Sequence, residues 1–302
     1  MNVDKQEKYL EKCYNSAQYK KALDGYLTLL GNVGTQQEKA NLEYKVGRCY
    51  YKIGYFSAAL SHFQRVIEAD EYTDYTLKGN CYNEIATVMY KQGCLKDALE
   101  YIEQAQKLVD GTTPKKAEIY NNFGRIYYKM KEFPKALFYF QLSLSIKEQI
   151  FPLDDIEIAV SYNNLGVIYM ELDNLERALK YLEISLSIRR EKFGNNHPDT
   201  ATTYNNIASV YLKENKVNNA RDYFERALKI REKILGEQHL DTAMTYYGLG
   251  MLEVHLKNYE EAFRNLNKAF EVVSLMKGVD SDDSLKIKNE MDNCREVMAC
   301  YQ

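Results

Sequence analysis

The stretch ATTYNNIASVYLKENKVNNARDYFERALKI, residues 201–230, carries two helical faces separated by a polar break. Tyr204, Ile207, Ala208 and Tyr211 fall at i, i+3, i+4 and i+7, which is one side of an α-helix. The polar turn ENK at 214–216 follows, and Ala220, Tyr223, Phe224, Ala227 and Ile230 line a second helix. The spacing predicts a helical hairpin. Its oddity is the pair Asn205–Asn206, because asparagine is a poor helix former whose amide competes for nearby backbone groups.

The hairpin recurs along the chain. Stepping upstream by 42 residues gives AVSYNNLGVIYM (159–170) and then AEIYNNFGRIYY (117–128); one step downstream gives AMTYYGLGMLEV (243–254). The alanines that open the second halves are Ala22, Ala59, Ala98, Ala136, Ala178, Ala220 and Ala262, spaced by 37, 39, 38, 42, 42 and 42 residues. Small residues also recur in the first halves, at Gly47, Ala86, Gly124, Gly166, Ala208 and Gly250. Small side chains at a fixed register let two helix backbones approach, and the large aromatics fill the space around them. Internal repetition outranks the two-domain expectation that 302 residues alone would raise. The chain therefore reads as one array over 1–302, with units near 3–36, 40–75, 79–112, 117–150, 159–192, 201–234 and 243–276. An acidic hinge follows at 278–284, and Ile287, Met291, Cys294, Met298 and Tyr301 mark one face of a closing helix over 285–301.

This pattern resembles the tetratricopeptide repeat over nearly the whole chain. The motif of a large residue, a small one four later, an aromatic three further, then Ala and a large residue in the second helix has three full matches. They are Tyr120/Gly124/Tyr127/Ala136/Phe140, Tyr162/Gly166/Tyr169/Ala178/Leu182 and Tyr204/Ala208/Tyr211/Ala220/Phe224. Glu253 and Leu10 depart from it in the last and first copies. The 42-residue units, with HPDTA at 197–201 and HLDTA at 239–243, are most similar to the kinesin light chain subclass, which is also common in bacterial regulators. The resemblance implies an all-α, right-handed superhelical solenoid of about seven hairpins plus a C-terminal capping helix.

Composition narrows the function. A net charge of -3 offers no electrostatic grip on nucleic acid or anionic lipid. No apolar run approaches the length of a membrane span, and the charged opening MNVDKQEKYLEK is unlike a secretory signal. Six cysteines without CxxC spacing read as reduced, mostly buried thiols of a cytoplasmic protein.

Thr202, Asn205, Asn206, Ser209, Leu212 and Lys213 fall opposite the packing stripe of residues 201–213. The resemblance implies that this side lines a concave surface on which extended peptides or partner helices lie. Three copies of the asparagine pair stand there: Asn121/Asn122, Asn163/Asn164 and Asn205/Asn206. A primary amide both donates and accepts, so a ladder of them suits a peptide backbone without selecting its side chains. Helix packing gives no reason for the pairs, and the resemblance singles out the second members, Asn122, Asn164 and Asn206. The same face carries Arg48, Lys52, Lys91, Arg125 and Lys129 toward the N-terminus. Toward the C-terminus it carries Val160, Val167, Met170, Leu212, Met244, Met251 and Val254. A protein or peptide with acidic and apolar segments is the partner such a face suits. The carboxylate clamp of chaperone-binding relatives is not matched, because Tyr44 stands where its first lysine belongs.

No phosphate loop, nucleophile elbow or zinc spacing occurs, so neither an enzyme nor a cofactor is expected. His197 and His239 precede Asp199 and Asp241 in equivalent loops, where aspartate is expected as the helix N-cap and no metal site is expected. Asp280, Asp282 and Asp283 lack the glycine and distal glutamate of a calcium loop. The leading expectation is a non-enzymatic interaction adaptor. The alternatives are a bacterial peptide-pheromone sensor or response-regulator antagonist without a DNA-binding domain, and a structural subunit that self-associates through its end repeats.

Overall fold

The computed structural model describes residues 3–32, 34–69 and 74–300, and among them the regular elements are all α-helices. They pair as hairpins: α1 (Val3–Asn15) with α2 (Tyr19–Leu30), α3 (Gln36–Lys52) with α4 (Phe56–Glu68), α5 (Tyr75–Gln92) with α6 (Leu95–Leu108), and α7 (Pro114–Lys129) with α8 (Phe133–Ile150). Then follow α9 (Ile156–Glu171) with α10 (Leu175–Phe193), α11 (Pro198–Lys213) with α12 (Val217–Leu235), α13 (Leu240–His255) with α14 (Tyr259–Lys277), and α15 (Asp282–Cys300). The chain divides into two compact units, residues 1–150 and 151–302. Within the first, α5 lies against both α3 and α7; within the second, α11 lies against both α9 and α13. First helices of successive hairpins are therefore neighbours inside each unit. From α3 onward the first helices start about three residues ahead of the phase the repeats suggest.

Why the hairpin closes is visible at its turn. The residue five before each second-helix alanine is left-handed in all seven copies: Ala17, Gly54, Gly93, Lys131, Asp173, Asn215 and Lys257, with φ between 57° and 85°. The next N–H reaches back to a first-helix carbonyl, as in Lys216 N to Tyr211 O and Asn258 N to Glu253 O, both 2.9 Å. This is the closure that satisfies the last carbonyls of a helix and reverses the chain.

The small residue and the residue four after the alanine form one contact. A Cβ on Gly124 would stand 2.5 Å from the Phe140 ring, and one on Gly166 2.5 Å from Leu182. In the first hairpin Leu10 takes the small residue's place, and the room for it comes from Gly25, three after Ala22, where a Cβ would meet its side chain at 2.2 Å. The departure at Glu253 has its own explanation. Its buried carboxylate pairs with Arg221 Nη1 at 2.6 Å and accepts from Asn258 Nδ2 at 2.9 Å.

An aromatic pair ties the two helices of most hairpins, with ring centroids 5.7–6.1 Å apart at Tyr82–Tyr101, Tyr120–Tyr139, Tyr162–Tyr181 and Tyr204–Tyr223. The second hairpin replaces that pair with Glu43 and His62. The buried Glu43 carboxylate contacts His62 Nδ1 and Arg65 Nη1, and Tyr50 stacks on the imidazole at 5.3 Å.

Two repeated braces hold the joints between hairpins in the second unit. Gly194 and Gly236, with φ 82° and 85° and ψ 177° and 166°, occupy backbone space open only to glycine. Thr200 and Thr242 donate to the carbonyls of those glycines at 2.9 and 2.8 Å. Buried Arg189 spans from α10 to Asp199 O and Thr203 Oγ1 at 2.6 and 2.9 Å; Arg231 does the same to Asp241 O and Thr245 Oγ1 at 2.8 and 2.6 Å. Burial lowers the pKa of both guanidinium groups.

Two loop expectations are corrected. The N-caps of α11 and α13 are His197 and His239 themselves, whose Nδ1 atoms accept from the N–H of Asp199 and Asp241 at 3.1 Å. The aspartates lie inside the first turn, where their charge favours the positive helix end. Likewise Asp282 and Asp283 belong to the first turn of α15 instead of a hinge, with Asp283 paired to Lys277 and Ser281 Oγ accepting from Ser284 N. Ser284 donates to Gly278 O at 2.8 Å, in step with Thr200 and Thr242. So α15 holds the place of a first helix in an eighth unit. Its Ile287, Met291 and Cys294 are buried as the pattern predicts, Met298 is half-buried, and Tyr301 lies outside the described residues.

Candidate functional site

The candidate site residues lie on the first helices. In the first unit the expected cations sit on tyrosines of the hairpin before. Arg48 covers the Tyr14 ring at 4.5 Å, Lys91 covers Tyr51 at 4.7 Å, and Arg125 covers Tyr90 at 4.7 Å. Lys52 lies 5.9 Å from the Tyr51 ring, and Lys129 is exposed at the end of α7. A guanidinium or ammonium over an aromatic face is held by the ring quadrupole without surrendering its charge. Lys91 and Arg125 thereby keep their charge with their direction fixed, while Arg48 also lies 3.9 Å from a carboxylate oxygen of Glu84.

Sequence reading missed the tyrosines. The signal was present: Tyr51, Tyr90 and Tyr128 stand four residues after Gly47, Ala86 and Gly124. At the same place in the second unit stand Met170, Leu212 and Val254. The same register position is thus aromatic in the first unit and aliphatic in the second. It also missed the buried carboxylate Glu84, which accepts from Tyr44 Oη at 3.3 Å and lies 3.9 Å from Arg48 Nε and 3.7 Å from Lys115 Nζ. Burial, then the charge of Glu84, pushes the Tyr44 hydroxyl pKa far up, so it stays a donor.

The asparagines are engaged with one another, which corrects the view that packing gives them no role. In the first unit Asn122 Nδ2 donates to Oδ1 of Asn83 at 2.9 Å and to Thr87 Oγ1 at 3.3 Å, while its Oδ1 accepts from Arg125 Nη1 at 3.3 Å. Asn83 is wholly buried and donates in turn to Glu118 Oε1 at 2.9 Å. In the second unit Asn206 Nδ2 donates to Asn163 Oδ1 at 3.0 Å. Both bonds join the second amide of one hairpin to the first amide of the hairpin before it. Gly248 stands where the next second amide belongs, because the Phe224 ring takes the space of a Cβ there, 2.4 Å away. Asn205 Oδ1 is accordingly buried without a partner.

Burial separates the six amides. Asn122 and Asn163 are buried, whereas Asn121, Asn164, Asn205 and Asn206 are half-buried. Asn122 has spent both donor hydrogens. Asn206 has spent one and keeps Oδ1 as an acceptor. In the same unit Val160, Val167, Met170, Leu212, Met244, Met251 and Val254 are all half-buried. Among the described residues no three of His, Cys, Asp and Glu gather as a metal site, and no helix is long and apolar enough to cross a membrane.

Comparison with known proteins fits this fold. No curated protein matches the sequence significantly. Among solved structures, BtubC (BKLC) from P. vanneervenii is similar at a TM-score of 0.53 and 21% identity, over 82% of this chain and 95% of that one. A putative kinesin light chain with nearly identical repeats from Podosopora anserina is similar at 0.50 and 18%, over 66% and 96%. NprR, solved in complex with its cognate peptide NprX, is similar at 0.70 and 16%, over 100% and 85%. The tetratricopeptide repeat model matches residues 79–149, 157–233 and 205–274. With seven hairpins closed by one turn and packed by one small-to-large contact, the chain belongs to the tetratricopeptide repeat family.

Proposed function

We propose that the chain is a non-enzymatic interaction adaptor whose first-helix faces hold a peptide or helical segment of a partner protein. The observation that carries this is the cation–tyrosine column of the first unit, Arg48 on Tyr14, Lys91 on Tyr51 and Arg125 on Tyr90. It suits carboxylates spaced along an extended or helical segment. The half-buried aliphatic column of Met170, Leu212 and Val254 suits apolar side chains. Asn206, with its free acceptor, serves the ligand backbone, while Asn122 positions Arg125. NprR binds its cognate peptide on the same fold, which makes short peptides the first class to try.

A displayed library of peptides graded in charge and hydropathy tests the reading. Wild type should enrich acidic peptides with apolar flanks, and the variant Lys52→Glu/Lys91→Glu/Lys129→Glu should lose them by at least about tenfold. Equal enrichment of the same peptides by both proteins would remove the basis of the proposal.

A further inference from the structure

The second hairpin departs from its neighbours at three places. Glu43 and His62 stand where the third to sixth hairpins pair tyrosines. The third place is Ala69, ten residues after Ala59; the same offset gives Leu108, Ile146, Ile188, Ile230 and Val272 in the later hairpins. In the third hairpin Leu108 lies against Gly79, its Cβ 3.1 Å from where a Gly79 Cβ would stand. Ala40 holds the place of Gly79 in the second hairpin, so the room that Leu108 fills is left open between Ala40 and Ala69. A cavity of about 420 Å³ lies there, with Lys39, Ala40, Glu43, Arg65, Glu68 and Ala69 among its lining residues.

Its charges are sorted by depth. Glu43 is 5% exposed, whereas Lys39, Arg65 and Glu68 are exposed at the mouth. Glu43 Oε2 is taken by His62 Nδ1 and by Arg65 Nη1, the latter at 3.4 Å, and His62 is itself buried beneath the Tyr50 ring. Among the described residues Glu43 Oε1 accepts no hydrogen bond. A buried carboxylate half satisfied is costly, and a tyrosine pair in its place would not be. Where one repeat breaks the rule of the others at such a cost, function is the usual reason. At the mouth Glu68 accepts from Gln64 Nε2 at 2.9 Å, and Lys78 Nζ donates to Ala69 O at 2.8 Å, which adds a third cation to Lys39 and Arg65.

We propose that this cavity binds a small zwitterion of the amino-acid kind, its ammonium group on Glu43 and its carboxylate on Lys39 and Arg65. A bare amine would meet three cations at the mouth, and a bare carboxylate would meet Glu43 at the floor. A ligand carrying both charges meets the opposite sign at each end. An ammonium has three hydrogens to donate, and Glu43 Oε1 is the acceptor left for one of them. The volume is that of a small-molecule site. His62 and Arg65 position the carboxylate by holding its other oxygen.

Isothermal titration calorimetry of the full chain with a panel of free α-amino acids tests this, with ethylamine and acetate as single-charge controls. At least one amino acid should bind the wild-type protein, and neither control should. Glu43→Gln keeps the shape of the floor and removes its charge. Ala69→Leu restores the large residue of the later hairpins and fills the cavity while leaving every charge in place. Each should weaken binding of that amino acid by at least about tenfold. Scanning calorimetry of both variants shows that they are folded, and Ala69→Leu decides alone if Glu43→Gln does not fold. No binding of any amino acid by wild type, equal binding of either control, or unchanged affinity in a folded variant would each overturn the proposal.

Discussion

Asn206 Nδ2 donates to Asn163 Oδ1 at 3.0 Å, and Asn122 makes the same bond to Asn83 at 2.9 Å in the other unit. Two amides on neighbouring first helices thus lock one hairpin to the next. The loss of helix propensity at each asparagine, roughly half a kcal/mol, is set against that bond, buried at Asn122–Asn83 and partly buried at Asn206–Asn163.

Amide truncation should separate those roles. Asn83→Ala leaves the buried Asn122 Nδ2 with only the longer bond to Thr87 Oγ1, and should cost about 1–3 kcal/mol in urea unfolding. Asn206→Ala, at a half-buried position, should cost less than about 1 kcal/mol. A cycle of Asn163→Ala and Asn206→Ala should show coupling; additive effects would deny the lock.

The hairpin turns offer a gain in stability. Lys131 and Lys257 adopt φ 61°, a conformation that costs a side-chain-bearing residue about 1 kcal/mol relative to glycine. Lys257→Gly should raise the urea midpoint. Gly236→Ala, at φ 85° and ψ 166°, should lower it by a larger amount.

The second hairpin invites a different exchange. Removing Glu43 alone leaves buried His62 without its partner, so Glu43→Ala should destabilise by about 1–3 kcal/mol. The double variant Glu43→Tyr/His62→Tyr rebuilds the aromatic pair of the other hairpins and should be at least as stable as wild type. Calorimetry of the two variants decides it.

Alkaline pH should weaken the first unit. Burial pushes the Cys49 thiol up to about 12 from 9.0, and the Tyr14 hydroxyl up to about 12 from 10.0. Folded pKa values above the unfolded ones mean that stability is fully present below about pH 9 and is lost as pH rises toward about 12. The same burial protects the thiols: alkylation near pH 8 should label exposed Cys94 and Cys300 at once and reach Cys49 and Cys81 only on unfolding. Mass spectrometry of labelled peptides reads both.

The fold was legible because its rules are local in sequence. Gly124 and Phe140, or Gly166 and Leu182, meet at a fixed offset, so periodicity alone finds them. The face carrying Arg125 and Asn206 was legible for the same reason. What lies across from each residue was not. Asn122 meets Asn83 and Asn206 meets Asn163 at offsets of 39 and 43 residues, which depend on how hairpins stack. The tyrosines under Arg48, Lys91 and Arg125 were hidden in a chain with 27 of them, until stacking showed which ring each cation covers. The N-caps were misassigned because Pro198 and Leu240 occupy the first helical position and move the cap back to histidine.

The most direct test of the central claim places a photoreactive residue at one face or the other. Substituted at Thr87, beside Asn122 on the first-helix side, it should crosslink peptides enriched by the wild-type protein. Substituted at exposed Phe138 on the second helix α8, it should not. Crosslinking from Phe138 with none from Thr87 would place the ligand on the opposite face and contradict the account.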